Sequence, residues 1–121
     1  MGYRSEINIL ITLPENVSAR KVINKFKKAW GEDFNEYFST DDECVENCLY
    51  IGTKEDLKWY EGSFEAVTNF MELVRNWEDY YKTGGIHFIR LGENYDDIEE
   101  ICSGDVMNMK YLGLSRTTTL P

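Results

Sequence analysis

The residues that could carry out chemistry are few. Nucleophilic catalysis needs a nucleophile beside a base, and His87 is the single histidine in the chain. It lies in the apolar run Ile86-His87-Phe88-Ile89, which predicts a strand and not a catalytic loop. Metal-dependent phosphodiesterases and nucleases use clustered carboxylates, often with a lysine, and Asp56 and Lys58 have an Asp-x-Lys spacing. That activity is one alternative, but because no fuller catalytic set is visible, the sequence predicts a protein that is not an enzyme.

Ligands for a metal or a phosphate group are also scarce. The three cysteines are an odd number, which argues against a disulfide framework and for a reducing compartment. Cys44 and Cys48 could supply two metal ligands, but no second ligand pair stands near them in the sequence. Gly84-Gly85 follows a predicted helix and precedes a strand, the reverse of a phosphate-binding loop. The sequence therefore predicts neither a metal nor a cofactor.

The acidic residues are the most distinctive polar feature. The chain has 22 acidic and 13 basic residues and a formal net charge of −9, so direct binding of nucleic acid through a general basic surface is not expected. Two segments contain acids and no base: Glu32, Asp33, Glu36, Asp41, Asp42, Glu43 and Glu46, and then Glu93, Asp96, Asp97, Glu99, Glu100 and Asp105. One interpretation is a surface that only favours solubility. The other is that these runs imitate nucleic acid or meet a basic groove on a protein.

Aromatic residues among the acids favour an interface, because they add apolar anchors to the charge. Examples are Tyr37 and Tyr95. The residues that we expect to contact a partner are Glu36, Asp41, Asp42, Glu43, Asp96, Asp97, Glu99 and Glu100.

The hydrophobic pattern predicts one α+β domain over residues 1–121. Strands are expected at 4–13, 48–53, 57–60, 86–91, 96–101 and 111–117, with a loop at 39–42 and a tail at 118–121. Helices are expected after Ser18 as far as Gly31, with an extension through Phe38, and from Ser63 to Tyr81. This β-α-β-β-α-β-β-β order predicts a two-layer sandwich: a mixed or antiparallel sheet of five to six strands and two helices, ferredoxin-like in outline.

The longest apolar runs are far shorter than the roughly 20 residues of a membrane helix. The N-terminus leads directly into a strand pattern without the apolar run of a signal peptide. These features predict a soluble, cytoplasmic protein with no membrane contact.

Several strings in the chain carry a resemblance. The chain opens with Met1-Gly2-Tyr3-Arg4-Ser5, has Leu57-Lys58-Trp59-Tyr60 before a helix, and has Leu114-Ser115-Arg116 near its end. The longest string runs from Ile86 through Arg90-Leu91-Gly92-Glu93-Asn94-Tyr95 to Glu99. In these strings the chain resembles a group of short phage and prophage accessory proteins. The resemblance implies no catalytic residues, but it implies a setting in which small proteins bind and disable a host or defence factor.

The leading hypothesis is therefore a phage-encoded, non-enzymatic inhibitor, similar to an anti-CRISPR protein, that competes with nucleic acid for a basic channel on its partner. The alternative is a small-ligand binder that sequesters a nucleotide immune signal, which needs cations and aromatic surfaces in one pocket. The residues expected for that pocket are Arg4, Arg90, Arg116, Trp59 and Tyr111. The oligomeric state stays open, with a homodimer as one alternative.

Overall fold

The fold is built around its first strand. The computed structural model describes residues 3–43 and 47–104. The elements along the chain are β1 (Arg4–Thr12), α1 (Ala19–Trp30), α2 (Phe34–Tyr37), β2 (Phe38–Asp41), β3 (Cys48–Thr53), β4 (Leu57–Lys58), α3 (Glu65–Arg75), α4 (Trp77–Tyr80), β5 (Gly85–Gly92) and β6 (Ile98–Gly104).

All the strands belong to one antiparallel sheet in the order β2-β3-β1-β5-β6, with the short β4 paired to the start of β1. The α+β class and the antiparallel sheet of five to six strands are confirmed. The ferredoxin-like outline stays a prediction. The element order contains a β-α-β-β-α-β series, but two one-turn helices, the short β4 and β6 stand outside that series.

The alternation of β1 divides the sheet into two faces. Ile7, Ile9 and Ile11 point to the face on which the helices lie, where they join the main core. Leu10 points to the opposite face and contacts Cys48 and Ile89. We call the first the helix face and the second the opposite face. The buried core residues contributed by the two long helices are Val22, Phe26, Val67, Phe70, Met71, Leu73 and Val74.

Helix α1 begins after Ser18 and ends before Gly31, as the sequence predicts. The extension expected through Phe38 is instead a separate one-turn helix, α2, and Phe38 lies on β2. The hydroxyl of Ser18 accepts a hydrogen bond from the backbone N–H of Lys21 at 3.3 Å, which satisfies a donor at the free end of the helix. Gly31 follows the last turn with φ of 130°, a conformation that other residues rarely adopt, and its N–H donates to the carbonyl of Lys27. This glycine lets the chain leave the helix and turn into α2.

The acidic segment after α1 contains a strand that the sequence does not predict. Residues 39–42 are polar and typical of a loop, yet Phe38–Asp41 forms β2. Its pairing with β3 runs from Phe38 opposite Thr53 to Asp41 opposite Tyr50. The loop prediction was wrong because the hydrogen bonds of a neighbouring strand form this edge, whatever the local preference of its residues.

The second long helix is also shorter than predicted. Its apolar spacing continues as far as Tyr81, but α3 ends at Arg75 and Asn76 separates it from α4. Phe64 and not Ser63 occupies the N-cap position, without a side-chain hydrogen bond. Within the described residues no helix is long and apolar enough to cross a membrane.

Three predicted strand boundaries need comment. The strand expected at 57–60 is reduced to Leu57–Lys58, because only these two residues pair, with Ser5 and Arg4. The strand expected at 96–101 runs from Ile98 to Gly104 and lies at the edge of the sheet that the described residues form. The strand expected at 111–117 and the tail at 118–121 lie outside the described residues.

Candidate protein-binding surface

The first acidic segment forms one side of the molecule, around the outer edge of β2. We define the β2-edge acidic surface as Glu32, Asp33, Glu36, Asp41, Asp42 and Glu43, all of which are exposed. Among residues 3–43 and 47–104, no lysine or arginine forms an ion pair with Glu36, Asp42 or Glu43. The backbone N–H of Glu43 donates to Asp41 at 2.9 Å, which shapes the turn after the strand.

Two buried phenylalanines turn this acidic segment outward. Phe34 and Phe38 stack on each other with ring centroids 4.9 Å apart, and both are buried against the core. Because Phe34 begins α2 and Phe38 follows its last residue, the chain between them is held against the helix face. Glu36 is thereby left in solvent. The local sequence, aromatic residues alternating with acids, therefore sets the orientation of this surface.

An exposed aromatic residue adjoins the acids. The side chain of Tyr37 is 37% exposed, and its ring contacts Trp30 edge-on at 6.1 Å. Trp30 itself stacks on Trp59 with ring centroids 5.6 Å apart, so Tyr37 packs against a tryptophan that is held by a second tryptophan. A rigid, partly exposed tyrosine beside unpaired carboxylates combines an apolar contact with charge, as protein interfaces do.

The second acidic segment has a different role, since much of it forms bonds within the protein. Arg90 binds the Asp97 carboxylate through two hydrogen bonds of 2.8 and 3.1 Å, and its Nε donates to Glu99 at 3.1 Å. Hydrogen bonding to Asp97, and then to Glu99, raises the pKa of Arg90 above its ordinary value. Arg75 also contacts Glu99 at 3.4 Å.

Other acids of this segment also bind groups within the protein, with one exception. Asp97 additionally accepts a hydrogen bond from the hydroxyl of Tyr3 at 2.6 Å, and Glu93 accepts one from the backbone N–H of Arg4 at 2.9 Å. Glu100 contacts the imidazole of His87 at 2.5 Å. Asp96 is exposed and has no ion pair with a described residue. Of the expected contact residues in this segment, Asp97, Glu99 and Glu100 therefore already bind other groups of the protein.

The sheet order separates the two acidic segments. The first lies at the β2 edge and the second at the β6 edge, with β3, β1 and β5 between them. Four strand spacings correspond to about 19 Å across the sheet. The two segments are therefore separate surfaces, and the one at the β2 edge has the more unpaired charge.

The three described residues expected for a ligand pocket have different surroundings in the structure. Arg4 is exposed and donates to the carbonyl of Asp56 at 3.3 Å. Arg90 is held by its carboxylates, and Trp59 is buried among aromatic rings. Tyr111 and Arg116 lie outside the described residues.

A pocket of about 600 Å³ does lie beside the β2-edge acidic surface, between the end of α1, β4 and the start of α3. Arg4 is the one expected ligand residue among the side chains that line it. Tyr37 and Phe64, which is 43% exposed, are further lining residues. No signal in the sequence marks the exposure of Phe64, since its helical spacing with Val67 predicts a buried position.

Metal-ligand side chains approach one another at one place within 3–43 and 47–104. His87, Glu100 and Cys102 each offer a ligand atom, and these atoms all lie within 4.8 Å of one another. Burial, together with the charge of Glu100, raises the pKa of the Cys102 thiol. Asp56 and Lys58, expected for a nuclease, are exposed and do not belong to this group.

Comparison of the chain with protein-family models, with curated proteins and with solved structures gives no match. The resemblance to phage accessory proteins therefore stays a hypothesis that rests on the sequence strings.

Proposed function

We propose that this protein is a non-enzymatic inhibitor that docks on a host protein through the β2-edge acidic surface and competes with nucleic acid for a basic channel. In its concrete form it is a phage-encoded counter-defence protein, similar to an anti-CRISPR, that acts in the cytoplasm of the host. The observation that carries the proposal is the exposed group of carboxylates at the sheet edge, which includes Glu36, Asp42 and Glu43 without ion partners in the described chain.

Electrostatics supports this choice of partner. Like charges held at one edge repel each other, and a basic surface would remove that repulsion when it binds. The same field attracts a cationic groove from a distance, which raises the rate of association and makes it sensitive to salt. Tyr37, fixed against Trp30, supplies an apolar anchor at the centre of such a contact.

The internal bonds narrow the set of contact residues. Glu36, Asp41, Asp42 and Glu43 belong to the β2-edge acidic surface, and we retain them as contacts. Asp97, Glu99 and Glu100 would have to leave Arg90 or His87 to bind a partner, which costs the energy of those bonds. Asp96 is exposed, but it lies at the other edge of the sheet, so we do not retain it as a contact.

A charged edge strand also has a structural role. The unpaired N–H and C=O groups of an edge strand can pair with a second chain, and acids on a short strand such as β2 discourage this. A purely protective role would require only that the surface be charged. Binding to a basic channel requires that the charge be negative, and a variant with reversed charge separates the two.

The test is a competition experiment with purified bacterial defence effectors, each carrying labelled nucleic acid. We expect the protein to displace the nucleic acid from at least one effector. The double variant Glu36→Lys/Asp42→Lys should raise the half-inhibitory concentration about tenfold or more, because two attractive contacts become repulsive. Inhibition by the unaltered protein should also weaken as salt is raised.

The matched control is Glu93→Lys/Asp96→Lys, which changes the net charge by the same amount at the opposite edge of the sheet. It should alter inhibition less than about threefold, because distant exposed charges are screened. Equal inhibition by both double variants and the unaltered protein would exclude the β2 edge as the contact. A protein that displaces nucleic acid from none of the effectors would contradict the inhibitor proposal itself.

The second candidate function is sequestration of a nucleotide signal, and the pocket of about 600 Å³ favours it. Arg4 and Lys58 can contact a phosphate, while Trp30, Tyr37 and Phe64 offer aromatic surface for a base. A cyclic dinucleotide should then raise the melting temperature by about 4 °C or more when it is well above its dissociation constant. Phe64→Ala should abolish this rise in melting temperature and leave inhibition of an effector unchanged.

If a cyclic dinucleotide does not raise the melting temperature of the unaltered protein, the pocket is rejected as a nucleotide site.

A further inference from the structure

Three potential metal ligands come together on the opposite face of the sheet. His87 lies on β5, and the antiparallel register places Cys102 of β6 directly across from it. Glu100 is two residues before Cys102, so its side chain points to the same face of the strand. The three ligand atoms lie within 4.8 Å of one another.

The imidazole of His87 is buried, and one of its two nitrogens has no hydrogen-bond partner among the described residues. His87 is only 3% exposed, and one ring nitrogen, Nε2, contacts Glu100 at 2.5 Å. The other nitrogen, Nδ1, is buried and has no hydrogen-bond partner among the described residues. Buried polar atoms are nearly always paired. Nε2 is the nitrogen that faces Glu100, so it is the atom that would bind an ion held with Glu100. Nδ1 is left for a hydrogen bond to a group outside the described residues, as the second nitrogen of a zinc-bound histidine usually makes one.

The donor atoms determine which ion would bind. An imidazole nitrogen, a thiolate sulfur and a carboxylate oxygen are the three ligand types that zinc takes in proteins. In a tetrahedral zinc site these atoms are separated by about 3.4–3.7 Å. Glu100 and Cys102 are exposed on β6 and can reach these separations by side-chain rotation while His87 stays fixed. For Glu100 this means moving about 1 Å away from Nε2 of His87.

We propose that His87, Glu100 and Cys102 bind a zinc ion, which clamps the edge strand β6 to β5. The fourth position would be taken by water or by a group from outside this set, as in zinc sites with three protein ligands. The proposal is independent of the inhibitor function, because it concerns the β6 edge and not the β2 edge.

The sequence does not reveal this site, because its spacing is unlike that of the familiar zinc motifs. The paired ligands of a zinc finger or ribbon are close in sequence, whereas His87 and Cys102 meet only through the strand register. The pair that the sequence does offer is Cys44 and Cys48. Cys48 is buried against Leu10 and Ile89 and does not belong to the group of three.

Zinc and cobalt titrations of chelator-treated protein test the proposal. We expect one equivalent of zinc to bind and to raise the melting temperature, since an ion that binds only the folded state stabilises it. Cobalt in the same site should show a thiolate-to-cobalt charge-transfer band in the near ultraviolet. Cys102→Ser should abolish that band, and Cys102→Ser and Glu100→Gln should each weaken zinc binding about tenfold or more. Both residues are exposed, so circular dichroism should show folded variants.

Two controls locate the ion. Asp96→Asn removes an exposed acid near the hairpin, and Cys48→Ala removes a thiol outside the group of three. Both should keep the cobalt band and a zinc affinity within about twofold of the unaltered protein. A cobalt band that survives Cys102→Ser but disappears in Cys48→Ala would place the ion elsewhere and overturn the proposal. A protein that binds no zinc at micromolar concentrations would overturn it as well.

Discussion

Replacing Phe70 by alanine is expected to lower the free energy of unfolding by about 3–5 kcal/mol. The side chain is fully buried on α3, where it touches four other aromatic rings. Its ring centroid lies 5.0 Å from Phe26, 5.2 Å from Phe38, 5.4 Å from Trp59 and 5.9 Å from Trp30. Removing the ring leaves a cavity that the neighbouring rings cannot fill. The loss of unfolding free energy therefore includes both the lost hydrophobic burial and the lost packing contacts.

Equilibrium unfolding in urea, followed by circular dichroism, measures this effect. The control is Phe64→Ala, which removes the same side chain from the N-cap position of the same helix, where it is 43% exposed. Its expected effect is below about 1 kcal/mol, because an exposed ring contributes little to the core. If the two variants unfold at similar urea concentrations, the aromatic cluster does not contribute to stability as the packing indicates.

The second large effect is expected from Arg90→Ala, at about 2–3 kcal/mol of unfolding free energy. The guanidinium binds Asp97 and Glu99, and its Nη1 also donates to the hydroxyl of the buried Ser5 at 3.1 Å. Without Arg90, two carboxylates would face each other without this cation, and the serine would lose a partner. The value lies below that of a fully buried ion pair, because both carboxylates are about one-third exposed.

The control for this variant is Arg4→Ala, which also removes an arginine from the sheet. Arg4 is exposed, and within the described part of the chain its side chain donates to one group, the backbone carbonyl of Asp56. We expect a loss below about 0.5 kcal/mol. Comparable losses in both variants would show that the contacts of Arg90 with Asp97 and Glu99 add little. High salt should reduce the difference between the variants only in part, since Arg90 is largely shielded from solvent.

The bonds of Arg90 also reduce the number of acids in the second acidic segment that are free to contact a partner. Since Arg90 binds Asp97 and Glu99 within the protein, these acids stabilise the β5–β6 hairpin. Glu36 and Asp42 at the β2 edge have no ion pair with a described residue, and reversing their charge should leave stability nearly unchanged. Inhibition and stability should therefore respond to different residues.

Much of the local structure could be predicted because the sequence contains the signal within a few residues. The alternation of Ile7, Ile9 and Ile11 predicts a half-buried strand, and Ser18 and Gly31 mark the ends of the first helix. The apolar run at 86–91 predicts a central strand, and β5 is paired on its two edges with β1 and β6. These signals suffice because they arise from side-chain burial and capping, which act over one or two turns.

Other features depend on contacts between distant parts of the chain. β2 exists because β3 offers it hydrogen bonds, although Ser39, Thr40 and Asp41 have little tendency to form a strand. The break between α3 and α4 interrupts an apolar spacing that continues unchanged from Phe70 to Tyr81. In both places tertiary contacts override local preference, and no local signal marks them.

The sequence by itself determined the α+β class, the main strand and helix patterns, and the presence of two acidic segments. Only the tertiary structure decided that these segments lie at opposite edges of one sheet, and that Asp97 and Glu99 bind Arg90 while Glu36 and Asp42 have no ion partner among residues 3–43 and 47–104. It also brought His87 across from Cys102. The physical reason is that charge and periodicity are properties of neighbouring residues, whereas strand order and register depend on the packing of the whole chain.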